Sequence, residues 1–193
     1  SILEEKVKEG VQVRAIYDAF GNSSNNQPLK KKHIKALKER GIEIEEFDPI
    51  RFPWINHVFH RDHRKIVVID GKIGYTGGMN IADYYINGLP KIGEWRDMHI
   101  RIEGRAVENL QAIFLDMWNR TTGEEISGDA YFPYKKDSTV ISDGGKEIAI
   151  VDRYPRRNPK LMRRAYAKAI ESAENRVQII NPYFTPTRII KKA

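Results

Sequence analysis

Apolar and polar positions along the chain alternate between two periods, and each change of period marks an element. Residues 11–17 alternate at period two and predict a strand ending at Asp18, and residues 42–47 predict a second. Ahead of the first strand, Ile2, Leu3 and Val7 before Gly10 predict the last turns of a helix. Between the strands, the polar run 21–28 predicts a loop, and Leu29, Ile34 and Leu37 share one side of a helix closed by Gly41. Residues 66–70 form an apolar run that meets Asp70-Gly71, a favoured hairpin dipeptide, and residues 72–75 return as the partner strand. Four consecutive aliphatic residues, Ile66-Val67-Val68-Ile69, predict that this strand is buried on both sides. A short helix opens at 81–85, and residues 96–103 predict a further strand ending at Gly104. The clearest helix follows, with Val107, Leu110, Ile113, Phe114, Met117 and Trp118 on one face.

The last third repeats this theme. Residues 147–152 predict a strand. Asn158 caps and Pro159 opens a helix carrying Met162, Tyr166, Ile170 and Ala173. Residues 176–181 predict another strand, and 187–193 the start of a helix. The stretch 122–145 is rich in Gly, Asp, Ser, Lys and Tyr and reads as a long loop or linker. The expected organisation is a first domain over 1–121, the linker 122–145, and a second unit beginning at 146–193. The fold class is α/β, a mixed β-sheet flanked by helices on both faces. Both ends of the chain fall inside helices, so a truncated piece of a longer protein is expected.

Composition narrows the chemistry. A hydrophobic fraction of 40% and a charged fraction of 31% over 193 residues suit a packed globular chain. With no cysteine, a disulfide framework, a thiolate nucleophile and a cysteine zinc cluster are excluded. No apolar run approaches the ~18 residues of a membrane-spanning helix. The net charge of +7, from 33 basic and 26 acidic residues, favours an anionic partner, either nucleic acid or an acidic lipid surface. The basic runs at 30–32, 156–157 and 163–164 read first as solvated faces.

The segment His60 to Asn80 is where chemistry concentrates. At period two, His63, Lys65 and Val67 point to one face, with His63 and Lys65 at the mouth of the predicted strand. A neutral imidazole at His63 can attack phosphorus and hold a phosphohistidine, dividing one displacement into two. Lys65 is a cation placed to clamp phosphate oxygens. Gly77-Gly78 lets backbone amides approach an anion, and Asn80 adds a neutral donor. No step calls for a metal or other cofactor. A metal reading of His60, Asp62 and His63 is disfavoured, because a three-residue step along a strand sends the two rings to opposite faces. Asp70 alone reads as an ordinary hairpin residue. The irregular segment 48–55, with two prolines and three large apolar residues, reads as a plug over the core or as a lipid contact.

His63-x-Lys65-x4-Asp70, followed by Gly77-Gly78-x-Asn80, resembles the signature of the phospholipase D superfamily. The flanks Gly93-Glu94-Trp95-Arg96-Asp97-Met98-His99, Ile102-Glu103-Gly104-Arg105-Ala106-Val107 and Asn181-Pro182-Tyr183-Phe184-Thr185-Pro186 are similar to bacterial cardiolipin synthases within it. The resemblance implies phosphatidyl transfer between two phosphatidylglycerol molecules to give cardiolipin, with His63, Lys65 and Asp70 catalytic. Lys65 and Asn80 would bind the phosphate, and Asp70 would orient a histidine. It implies a bacterial cell membrane location for the whole protein, with this piece soluble, and anionic phospholipid as partner in preference to nucleic acid. It also implies that 146–193 begins a second, similar domain. Members pair two such motifs at one site, and this chain carries one. The other half-site must come from beyond residue 193 or from a second copy. A different phosphodiesterase of the superfamily (phospholipase, phosphatidylserine synthase or nuclease) and a catalytically incomplete binding fragment are the alternatives.

Overall fold

The computed structural model describes residues 1–23, 28–49, 61–91, 93–134, 145–153, 161–181 and 184–193. Most of the segment 48–55, together with His60, Asn158, Pro159, Arg156-Arg157 and Pro182-Tyr183, lies outside the described residues, and so do the expectations attached to them. The chain divides into two compact units, Ser1–Lys146 and Glu147–Ala193.

The first unit is α/β, as its periodicities predict. Helix α1 (Ile2–Lys8) leads to strand β1 (Arg14–Asp18), the short helix α2 (Ala19–Ser23), helix α3 (Lys31–Glu39) and strand β2 (Glu43–Phe47). β1 and β2 pair in parallel, Arg14 opposite Glu43 and Asp18 opposite Phe47, with α3 as the crossover. A hairpin of β3 (Ile66–Ile69) and β4 (Ile73–Gly77) is extended by β5 (His99–Glu103) into an antiparallel sheet of order β3-β4-β5. Among the described residues the parallel and antiparallel ladders form a two-stranded and a three-stranded sheet. Helix α4 (Tyr84–Asn87) lies between β4 and β5, and α5 (Val107–Thr122) follows β5.

The core sits where α5 meets the antiparallel sheet. Val107, Leu110, Leu115, Met117 and Trp118 are buried along α5, opposite Ile102 of β5. Gly74 of β4 gives α5 its closest approach, since a Cβ there would lie 2.8 Å from Leu110 Cδ1. Trp118, 1% exposed, is the largest side chain fully enclosed; truncating such a residue costs about 3–5 kcal/mol. Of the predicted α5 stripe, Val107, Leu110, Met117 and Trp118 are buried and Ile113 and Phe114 half-buried, with Leu115 and Gln111 as buried additions. The expectation that β3 is buried on both sides is not met. Val67 and Ile69 are 43% and 44% exposed, because α5 covers the face carrying Val68 and Gly74 and leaves theirs open.

The stretch after α5 is tied down rather than free. Gly123 ends the helix at φ +80. Trp118 Nε1 then donates to Glu124 Oε2 at 3.0 Å, and Asn119 exchanges two hydrogen bonds with the backbone of Ile126. A single 3-10 turn, Asp129–Tyr131, brings the Tyr131 ring within 5.9 Å of the Arg14 guanidinium, whose other contacts are the Trp118 ring and Glu43.

The second unit contains α6 (Leu161–Glu171), which buries Ala167 and packs on α7 (Arg188–Lys192). The strands predicted at 147–152 and 176–181 do not form; neither segment joins a ladder among the described residues. Alternation creates a strand only where a neighbouring edge accepts its backbone hydrogen bonds, and Val177, Ile179 and Ile180 stand exposed.

Candidate active site

Three strand ends converge at one end of the antiparallel sheet. Ile66, Thr76 and Ile100 stand in one row across it, and Gly77 pairs with His99 one position further out. Continuing the β3 register by one residue sets Lys65 opposite Gly77. Directly opposed residues share a face, so Lys65, Gly77 and His99 line the face turned away from α5, with His63 two residues beyond Lys65. The side chain absent at Gly77 lets β5 approach closely at this end of the sheet. A Cβ there would sit 2.6 Å from His99 Cα and 2.7 Å from His99 Nδ1, so the imidazole of His99 leans over the glycine. Gly78 gives the same latitude to the Asp97 carboxylate, and its N–H donates to the Met98 carbonyl at 2.9 Å. His99 Nδ1 is buried without a hydrogen-bond partner among the described residues.

The approach to His63 is held by charge. Arg61 donates to the Asp48 carbonyl at 3.0 Å and to its carboxylate at 3.2 Å, and lies 3.6 Å from Asp18. It thereby clamps the ends of β1 and β2 together at the start of the motif. Asp18 also accepts the Asp62 N–H at 3.0 Å, while the Asp62 carboxylate takes the backbone and guanidinium of Arg64. Lys65 Nζ donates to the His63 carbonyl at 2.8 Å.

These surroundings set the protonation of the pair. Burial, reinforced by the Lys65 cation, holds the His63 imidazole below its ordinary 6.5, against the upward pull of Asp62 and Asp18. Burial likewise lowers Lys65, opposed by Asp62, Asp97 and Asp18. A neutral imidazole beside a cation ringed by carboxylates can attack an anionic phosphodiester while its oxygens are held.

The other two expected site residues are placed elsewhere. Asp70 lies in the hairpin turn with φ +53, followed by Gly71 at +64, and the turn closes through Lys72 N–H to the Ile69 carbonyl at 3.0 Å. It lies seven positions along the chain from His63, about 23 Å at an extended rise and at the opposite end of β3, so within this chain it does not orient that histidine. Asn80 is exposed, and its Nδ2 donates to the Tyr85 hydroxyl at 3.1 Å. Asp97 and His99 were not singled out from the sequence as site residues. Their only signal was a polar pair opening a predicted strand, and their partners, Gly77 and Gly78, are remote in the chain.

A family model described as "Cardiolipin synthase, PLD-like domain" matches residues 1–118. The chain belongs to this family. Cardiolipin synthase of Halalkalibacterium halodurans is 39% identical over 193 residues, covering 100% of this chain and 37% of the relative. Cardiolipin synthase 1 of Bacillus cereus is 39% identical over 192 residues, 95% of this chain and 36% of the relative. Cardiolipin synthase 2 of Staphylococcus epidermidis is 40% identical over 187 residues, again 95% and 36%. The chain thus spans little more than a third of the cardiolipin synthases it matches. Among its described residues no helix is long and apolar enough to cross a membrane.

Proposed function

We propose that this chain supplies one half of the active site of a phosphatidyltransferase that makes cardiolipin from two phosphatidylglycerol molecules. The observation that carries the reading is the sheet end itself: an imidazole whose neutral form is favoured beside a lysine, where Gly77 and Gly78 let His99 and Asp97 come close. In the first step a ring nitrogen of His63 attacks phosphorus, the bond from phosphorus to the headgroup oxygen breaks, and glycerol leaves with a proton. In the second, a hydroxyl of another phosphatidylglycerol attacks the phosphohistidine, regenerating His63 and giving up its own proton. Lys65 holds phosphate oxygens throughout. The group that donates and recovers the proton belongs to the second half-site, which residues beyond 193 or a second copy contribute; such a group is worth about 10²- to 10⁴-fold.

The family match, the similarity to cardiolipin synthases and the basic charge support this reading. In it the whole protein works at the bacterial cell membrane on anionic phospholipid, and residues 146–193 begin a second domain resembling the first. Asp70 serves the hairpin tip. Release of labelled glycerol from phosphatidylglycerol in detergent micelles, measured at several protein concentrations, tests it. Specific turnover that rises with concentration places two motifs from two copies in one site. Glycerol release with water as sole acceptor turns the reading to a phospholipase, and metal-independent cleavage of single-stranded DNA turns it to a nuclease.

A further inference from the structure

Next to the phosphate-binding row, a cavity of about 240 Å³ opens between Met79, Tyr85, Glu94, Trp95, Arg96 and Asp97. It shares walls with the site. Asp97 fits against Gly78 and contributes its charge at Lys65, and the Tyr85 hydroxyl takes the hydrogen bond from Asn80. Its outer wall is fixed by reciprocal backbone bonds of Leu89 and Gly93, at 2.8 and 2.7 Å, which present Glu94 and Trp95. Tyr84, Tyr85 and Trp95 pack on one another, with ring centroids 4.5 to 6.0 Å apart, and this holds the indole at the cavity edge. Among the described residues Glu94 and Arg96 have no hydrogen-bond or ion-pair partner.

The geometry points to this cavity as the subsite for the polyol headgroup of the phospholipid, an assignment that rests on the reading of Lys65 as the phosphate clamp. A vicinal diol donates to the carboxylates of Glu94 and Asp97 and accepts from Arg96, while its C–H face lies on the indole and phenol rings. The same wall argues against a quaternary ammonium headgroup. Such a cation needs rings arranged around it, whereas here the rings pack against each other, Trp95 edge-to-face with both tyrosines, and Arg96 lines the space. A glycerol esterified to a phosphate at Lys65 has this cavity as its immediate neighbour.

Calorimetric titration of the full chain with glycerophosphoglycerol, glycerophosphocholine and inorganic phosphate tests the assignment. The expected result is glycerophosphoglycerol binding about tenfold or more tighter than either other probe. Glu94→Gln and Trp95→Ala should reduce it to the level of phosphate alone, leave phosphate itself unchanged, and Trp95→Phe should restore part of the difference. Equal binding of the glycerol and choline probes, or Glu94→Gln and Trp95→Ala proteins that still discriminate, overturns the polyol subsite while phosphate binding sensitive to Lys65→Ala keeps the clamp. Phosphate affinity unmoved by Lys65→Ala overturns the clamp, and the subsite falls with it.

Discussion

The two ends of the β3–β4 hairpin carry residues of one sequence motif and do different work. At the open end, burial lowers the pKa of both His63 and Lys65, the Lys65 cation lowers His63 further, and the Asp62, Asp97 and Asp18 carboxylates oppose the shift at Lys65. At the closed end, Asp70 and Gly71 both take positive φ in a turn that packs on Tyr131 and Pro133. The spacing between Lys65 and Asp70 therefore measures the length of a strand rather than a cluster of side chains. In the proposed function chemistry belongs to the open end, and the closed end keeps the hairpin in register.

The contrast can be broken most severely at His63. Replacement by Ala or Gln should abolish phosphoenzyme and lower transfer by about 10⁴-fold or more in the intact enzyme, with the circular dichroism spectrum unchanged. Gly77→Ala should come next. Its Cβ would press on the backbone of residues 98–99 and on the His99 ring, so the row opens and transfer falls by about 100-fold, measured as kcat. Arg61→Ala acts on support rather than chemistry: it leaves Asp18 and Asp48 without their shared cation and should cost about 3 kcal/mol in denaturant unfolding.

At the closed end the expected effects are smaller and purely structural. Gly71→Ala meets Pro133 Cδ and the Tyr131 carbonyl at 2.7 Å in a left-handed conformation and should cost about 1–2 kcal/mol, with kcat per folded molecule unchanged. Asp70→Asn, which keeps a side chain tolerant of positive φ, should shift stability by well under about 1 kcal/mol. A fall in kcat for Asp70→Asn comparable to that of Gly77→Ala would erase the distinction between the ends.

The subtlest test is titration of His63 by NMR. Its midpoint should lie below 6.5, rise in Lys65→Ala, and fall in Asp18→Asn. Since the folded protein prefers the neutral ring, His63 contributes stability that is present above 6.5 and lost as the pH falls through its folded midpoint. Phosphoenzyme formation should show the same acid limb.

Much of this arrangement could be read from residue order. The hairpin announced itself through Asp70-Gly71 and α5 through its 3.6-residue stripe. What escaped was set by contacts across long loops. His99 and Asp97 enter the site because β5 pairs with β4, a register that no local pattern states. Arg61 meets Asp18 and Asp48 because β1 and β2 end side by side. The apolar run of β3 suggested cover on both sides, yet α5 shields one face alone. Residues 147–152 and 176–181 have strand-like alternation without a neighbouring edge among the described residues, so the pattern there overstated the structure. The helical turn α2 was hidden by Gly21 and Asn22, poor helix formers held by the Asp18 carboxylate bonding to Gly21 N–H.

The most direct test of the central claim is to incubate the protein with phosphatidylglycerol labelled at phosphorus, quench in alkali, and locate the label by mass spectrometry. The account predicts a phosphatidyl or phosphoryl adduct on His63, absent from His63→Ala and retained in Asp70→Asn. Label on any other residue, or turnover by the His63→Ala protein, would contradict it.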